Sequence, residues 1–248
     1  MDLGNLASID KFVESLKSSS ESDKNGFEGN KVDVYILNAA VAGFFPNDLR
    51  TGLNPMLAVN FLGNVYLFKR LVEGGLAGSS TKVIVVSSGA HYNGRPFDFP
   101  VKANVTAGNA LYLYAQSKLL LQTWFEGYLN SIDDESKRPY VAFWNPGPVY
   151  TSLGASSVPS VLYPTYWLMK QLFFVDPYEV AKSILYLMST PTPLKSRDYL
   201  EMRVVQNPHP WTREKKAYEW LEPLTQSLIQ EVLQLEQQQS ESMSVYFA

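Results

Sequence analysis

Three short, continuous apolar runs alternate with long segments of helical periodicity along this chain. The runs are rich in β-branched residues and lie at residues 32–37 (VDVYIL), 83–86 (VIVV) and 141–144 (VAFW). Runs of this kind are typical of strands that are buried on both faces, and strands that alternate with helices favour a parallel sheet. The sequence therefore predicts an α/β fold, with a parallel sheet and helices on its faces.

The remaining elements follow from apolar spacing and from capping residues. A first helix is predicted to begin near Asn5 or Ser8, and a last short strand to cover residues 199–205. Further helices are predicted over residues 54–76, 111–129, 178–188 and 212–238. Residues 158–175 are very apolar but are broken by Pro159 and Pro164. We expect a main domain over residues 1–210, followed by a C-terminal helix and tail over residues 211–248.

The composition excludes several kinds of site. The 248 residues contain no cysteine, so no disulfide framework, thiolate zinc site, iron–sulfur cluster or cysteine nucleophile can form. Two histidines leave little for a histidine metal site, and we expect no metal. The net charge of −3 implies no broad basic surface for nucleic acid. The first residues lack the pattern of a signal peptide, and we expect a cytoplasmic protein.

Small polar residues and glycine follow all three apolar runs. Asn38, Ser88 and the pair Pro146-Gly147 each come just after the end of a predicted strand. In parallel sheets, ligands bind beyond the carboxyl ends of the strands. These residues therefore predict a ligand cleft at that edge of the sheet.

Tyr114 and Lys118 lie four residues apart on a predicted helix, so their side chains share one face. A nearby ammonium group stabilises a phenolate, lowers the pKa of the tyrosine and makes it a usable general acid or base. The spacing is weak evidence alone, because about one such pair is expected by chance in a chain with this composition. The chain has two more, Tyr166/Lys170 and Tyr178/Lys182, which we interpret as packing. Only Tyr114 opens a helix between two strands that end in candidate site residues.

Five motifs in order carry a resemblance to a known family. They are Asn38-Ala39-Ala40 after a strand, Asn60 in VNFLG, Ser88 in VIVVSSGAH, Tyr114 and Lys118 in YAQSK, and Pro146-Gly147 with Thr151 in NPGPVYT. Over roughly residues 2–205 the chain resembles the short-chain dehydrogenases/reductases, and most of all their retinol-dehydrogenase-like branch. The resemblance implies a Rossmann-like fold and NAD(P)-dependent hydride transfer between an alcohol and a carbonyl.

The resemblance also implies a role for each matched residue. Tyr114 would pass a proton to or from the substrate oxygen, and Ser88 would hydrogen-bond that oxygen. Lys118 would hold the nicotinamide ribose and lower the pKa of Tyr114, and Asn60 would anchor a proton relay. The remaining cofactor contacts would come from Asp2, Asn38, Ala39, Pro146, Gly147, Val149 and Thr151. The cofactor would be NADP or NAD, with NADP slightly favoured by the branch.

One part of the family pattern has no counterpart in this sequence. The family opens with a strand and a Thr-Gly-x-x-x-Gly-x-Gly turn, which seats the cofactor pyrophosphate at a helix N-terminus. Asp2-Leu3 instead resembles the end of the family's third strand, so we expect the first βαβ part, about 60 residues, to be missing. We therefore expect weak cofactor binding by this chain, and an open edge at residues 32–37. The alternative is a truncated, non-catalytic pseudoenzyme or interaction module of the same fold.

The region after Pro146-Gly147 bears on the substrate. In the family it lines the substrate pocket, and here residues 156–175 are rich in leucine and aromatic residues. Such a lining indicates a small lipophilic substrate, such as a retinoid, a steroid or a fatty aldehyde. Tryptophan and tyrosine also favour membrane interfaces, so peripheral contact with a membrane or a lipid droplet stays open, as does a homodimer.

Overall fold

The computed structural model describes residues 1–22, 32–151, 153, 158, 160–189 and 195–246, and these residues form one five-stranded sheet flanked by helices. Its strands, in spatial and chain order, are β1 (Val34–Leu37), β2 (Lys82–Val86), β3 (Tyr140–Asn145), β4 (Tyr199–Glu201) and β5 (Val204–Gln206). The first four strands pair in parallel, and β5 runs antiparallel to β4. This confirms the predicted Rossmann-like parallel sheet. Among the described residues, β1 pairs only with β2 and forms an edge of the sheet.

Seven α-helices connect and cover these strands in the described part of the chain. They are α1 (Leu6–Ser22), α2 (Pro55–Leu57), α3 (Asn64–Glu73), α4 (Ala110–Ser131), α5 (Tyr163–Phe173), α6 (Pro177–Ser189) and α7 (Lys215–Tyr246). A π-helical stretch, Ala58–Gly63, joins α2 to α3, so the predicted helix over 54–76 is one helix with a local widening. Helix α5 begins at Tyr163 because Pro164 is tolerated in a first turn. Pro159 lies outside the described residues.

The prediction of one strand over residues 199–205 was wrong. The chain reverses at Met202, whose φ is 53°, and returns as β5. Two hydrogen bonds hold this reversal to β3: the Trp144 indole donates to the Met202 carbonyl (2.8 Å), and the Met202 amide donates to the Asn145 carbonyl (2.8 Å). The hairpin therefore depends on contacts with a distant segment, and the local apolar pattern does not reveal it.

Both faces of the sheet are covered by apolar side chains. The larger core lies under α1, α3, α4 and α7, with Phe68, Trp124 and Phe125 among its fully buried rings. A smaller cluster on the other face combines Trp144 and Leu200 of the strands with Leu187 of α6. Helix α4 is largely buried because it lies between the sheet and α7.

The C-terminal helix α7 shares the main core. Ala217, Leu221 and Val232 are buried in it, and a Cβ atom at Gly127 of α4 would lie 2.1 Å from Cγ of Tyr218. The Glu236 carboxylate also accepts hydrogen bonds from the amides of Leu6 (3.0 Å) and Ala7 (2.8 Å). These are amides that a helix start leaves without a partner. The division of the chain near residue 210 stays a prediction.

Candidate functional site

A cleft of about 1310 Å³ lies beyond the carboxyl ends of β1, β2 and β3. Ligand pockets are commonly about 300–1000 Å³, so this space can hold a large ligand. Nine predicted site residues line it: Asn38, Ala39, Ser88, Tyr114, Lys118, Pro146, Gly147, Val149 and Thr151. The strand ends thus bring together residues that are far apart in the chain.

Tyr114 and Ser88 face each other in this cleft. Ser88 caps the short helical turn Gly89–Asn93, where its hydroxyl accepts a hydrogen bond from the Ala90 amide (3.2 Å). Burial raises the pKa of Tyr114 above its ordinary value, and a hydrogen bond from Ser88 partly opposes this rise. Tyr114 is therefore a protonated hydroxyl at neutral pH, positioned to donate a proton.

Lys118 is buried one turn further along α4. Its ammonium group donates to the Val86 carbonyl (2.9 Å) and lies 5.9 Å from the centre of the Tyr114 ring. Burial lowers the pKa of Lys118 to about 8. The expectation that Lys118 lowers the pKa of Tyr114 does not match this arrangement, because burial dominates at the tyrosine and raises its pKa instead.

Asn60 lies behind the cleft, inside the π-helical stretch. Its Oδ1 accepts from the Val41 amide (2.7 Å), and its Nδ2 donates to the Val41 carbonyl (2.8 Å) and to the Ser117 hydroxyl (3.1 Å). The side chain is fully buried. Its two hydrogen bonds to the Val41 backbone resemble those between neighbouring β-strands. Asn60 therefore holds the segment that follows β1 in place. It lies in a π-helical stretch, and such stretches often occur at functional sites.

The predicted cofactor residues separate into two groups. Asn38, Ala39, Pro146, Gly147, Val149 and Thr151 all line the cleft. Gly147 has a φ of 73°, and no atom lies within 4 Å of where its Cβ would be, so backbone is open to a ligand there. Asp2 is not among the lining residues, and its carboxylate accepts a hydrogen bond from the Gly4 amide (2.8 Å).

The sequence analysis did not single out Asn145 and Glu201, two polar lining residues that contact each other. Asn145 ends β3 and Glu201 ends β4, and their side chains form a hydrogen bond of 2.9 Å from Nδ2 to Oε1. Ligands bind beyond the carboxyl ends of the strands. A prediction that ended the last parallel strand at residue 201 would therefore have identified Glu201 as a candidate site residue. Asn145 stands in the NPG motif itself.

Comparison with known proteins adds sequence relatives. A search with family models found no match. The chain is 28% identical over 221 residues to dehydrogenase/reductase SDR family member 13 of Homo sapiens, which covers 88% of this chain and 55% of that protein. It is 27% identical over 192 residues to human retinol dehydrogenase 14, covering 77% and 54%. The chain thus spans about half the length of the curated relatives it matches.

Solved structures share the fold. An alcohol dehydrogenase from Thermococcus sibiricus, complexed with 5-hydroxy-NADP, matches with a TM-score of 0.52 at 17% identity, over 84% of this chain and 74% of that one. A 3-oxoacyl-[acyl-carrier protein] reductase from Brucella melitensis, in complex with NAD, matches with a TM-score of 0.55 at 16% identity, over 87% and 77%.

Sequence and fold therefore agree on the class. The chain has the Rossmann fold and is similar in sequence to short-chain dehydrogenases/reductases, with a retinol-dehydrogenase-like relationship. This confirms the family that the five motifs indicated.

Proposed function

We propose that this chain is an NAD(P)-dependent oxidoreductase that interconverts a lipophilic alcohol and its carbonyl compound. The observation that carries the proposal is the pair formed by Tyr114 and Ser88 beyond the carboxyl ends of three parallel strands. Lys118 is buried one helical turn after Tyr114. A proton donor and a hydroxyl that can orient an oxygen atom therefore face the same space. General acid–base catalysis by a positioned side chain contributes about 10²–10⁴ in rate.

The cleft fits the nicotinamide-ribose half of the cofactor. Such a group would contact the open backbone at Gly147, the backbone of the lining segment Pro146–Val149, and the polar side chains of Asn38 and Thr151. When bound, a nicotinamide cofactor supplies or accepts a hydride. The choice between NADP and NAD, and the contact with Asp2, stay predictions.

The residues of the chain would move and orient a proton. In reduction, the Tyr114 hydroxyl donates its proton to the substrate oxygen while Ser88 hydrogen-bonds the same oxygen; in oxidation, the proton returns. The raised pKa of Tyr114 keeps its hydroxyl protonated at neutral pH, the state from which a proton can be donated. Asn60 binds the Val41 backbone, and one donor of Lys118 binds the Val86 carbonyl. The proton relay at Asn60 and the ribose contact of Lys118 stay predictions.

A second function is favoured by what surrounds the cleft. No glycine-rich turn follows a strand in this sequence, and Lys118 is the only basic side chain among the described lining residues. Apart from Lys118, one of whose donors binds Val86, this lining offers no cation to a diphosphate. The alternative is therefore a non-catalytic protein of the same fold, with a partner on the open edge of β1.

One experiment separates the two functions. The chain is titrated with NADPH, and its binding is followed by fluorescence, then NADPH consumption is measured with decanal or retinal. Consumption that Tyr114→Phe abolishes supports the oxidoreductase. A folded chain that binds NADPH no more tightly than millimolar and consumes none supports the non-catalytic function, and micromolar or tighter affinity overturns the expectation of weak binding.

We also propose a peripheral contact with a membrane or lipid droplet, made by α5. Leu162, Trp167, Leu168 and Leu172 are exposed on or beside this helix, and tryptophan favours such interfaces. In the described part of the chain, no helix has the length and apolarity to cross a membrane. Flotation with liposomes tests the contact, and complete absence from the lipid fraction contradicts it. A homodimer stays a prediction for size-exclusion chromatography.

A further inference from the structure

The cleft contains one charged group that the proposed reaction does not use. Among the described lining residues, Glu201 is the only acid and Lys118 the only base. The ammonium group of Lys118 already donates to the Val86 carbonyl. An ammonium group has two further donors, so Lys118 can still serve the proposed reaction, and Glu201 is the charged group to which that reaction assigns no role.

The carboxylate of Glu201 is held in place by β3. Its Oε1 accepts from Nδ2 of Asn145 (2.9 Å), and Oδ1 of Asn145 accepts from the Gly147 amide (3.0 Å). The second bond fixes which end of the Asn145 amide is the oxygen, because a backbone amide can only donate. Asn145 is 4% exposed, so the group that holds Glu201 is itself packed.

Glu201 lies beside the turn that carries Ser88. A Cβ atom at Gly89 would lie 3.3 Å from Nδ2 of Asn145 and 3.7 Å from Oε1 of Glu201. Within the part of the chain that the structure describes, Oε2 of Glu201 accepts no hydrogen bond and forms no ion pair. One carboxylate oxygen is thus free to accept from a ligand in the cleft, on the side where Gly89 lies.

We propose that Glu201 is a specificity-determining anchor, and that the substrate carries a second hydrogen-bond donor, an amino or hydroxyl group, besides its reacting oxygen. This rests on the proposed function. A purely hydrocarbon ligand would cover the carboxylate without replacing its water, which is costly. A hydrogen bond to a charged group is strong enough to improve affinity by about tenfold or more. The carboxamide of a nicotinamide could supply the same N–H chemistry, and the test separates the two sources.

The test measures equilibrium binding by the full chain, followed by tryptophan fluorescence, to which Trp144 of the cleft contributes. The probes are decan-1-ol, a series of amino alcohols with six to ten carbons, and nicotinamide mononucleotide. The variants are Glu201→Gln, which keeps the shape, Glu201→Ala, and the control Glu179→Gln on α6, outside the lining. We expect the unaltered chain and the control to bind the best amino alcohol about tenfold more tightly than decan-1-ol. Both Glu201 variants should lose this preference.

Four results overturn the proposal. If the preference persists without the Glu201 carboxylate, or if no preference exists while decan-1-ol binds, the anchor is absent but the proposed function stands. If only nicotinamide mononucleotide binding falls in Glu201→Gln, the carboxylate serves the cofactor. If no alcohol binds at all, the anchor and the proposed function fail together.

Discussion

Nδ1 of His91 lies 2.7 Å from the carbonyl oxygen of Ser88, and this contact joins a buried imidazole to the turn that carries a candidate catalytic residue. On the other side of the ring, Nε2 accepts from the His209 amide (3.1 Å). A carbonyl can only accept and an amide can only donate, so the ring is neutral with its proton on Nδ1. His91 therefore connects the Ser88 turn to the segment that leads into α7.

We expect acid to weaken the fold through this ring. Burial lowers the pKa of His91 to about 4, against an ordinary value of 6.5. Between these values the unfolded chain binds more protons than the folded chain, so stability is complete above about pH 6.5 and falls towards pH 4, by about 3 kcal/mol from this group. Burial lowers the pKa of His209 in the same direction.

Urea unfolding at several pH values between 7.5 and 4 measures this slope. His91→Gln should lower stability at pH 7.5 and should have a shallower slope, because only His209 and the carboxyl groups remain. An identical slope in the variant and the unaltered chain would show that His91 is not a buried neutral group.

Tyr114 should titrate above its ordinary pKa in the chain without cofactor. Burial is the main cause, and Ser88 opposes it through a hydrogen bond. Ser88→Ala should therefore raise the Tyr114 pKa further. Titration of ring-labelled tyrosine by NMR, with Tyr114→Phe to assign the signal, measures both values. A Tyr114 pKa below 9 would instead restore the expectation that Lys118 controls it.

Packing between α4 and α7 should tolerate no added carbon at Gly127. Its Cβ would lie 2.1 Å from Cγ of Tyr218, and the ring carbons near it cannot all move away. We expect Gly127→Ala to lower the free energy of unfolding by about 3 kcal/mol or more, although alanine favours helices. Gly78→Ala is the control, since nothing lies within 4 Å of its Cβ position. Equal stabilities would mean that α7 does not pack on α4 in solution.

A buried carboxylate ties α4 to two distant segments. Glu126 has a fully buried side chain and pairs with Arg197 (2.5 Å) and Arg213 (3.2 Å). Glu126→Ala leaves both guanidinium groups without this partner, and we expect a loss of about 2–4 kcal/mol. Glu135→Ala, in the exposed pair with Arg138, should cost less than about 1 kcal/mol. Thermal unfolding compares the two, and similar losses would contradict the distinction.

Local patterns were sufficient for the order of elements and for part of the site. The apolar runs predict β1, β2 and β3, because buried strands need continuous apolar residues. The four-residue spacing places Tyr114 and Lys118 on one helix face, and the strand-end rule places Ser88 and Gly147 in the cleft. These features depend on neighbours in the chain, so the amino-acid sequence alone determines them.

Other features depend on contacts between segments that are distant in the chain. The Tyr114 pKa rises because the surrounding fold removes water, and no spacing of residues measures that burial. Glu201 reaches the cleft because Trp144 and Asn145 hold the reversal at Met202, which lies 58 residues after Trp144. Asn60 binds Val41, 19 residues away, and His91 binds His209, 118 residues away. Hydrogen bonds and desolvation of this kind exist only after the chain has folded, and tertiary structure therefore decides the chemistry of the cleft.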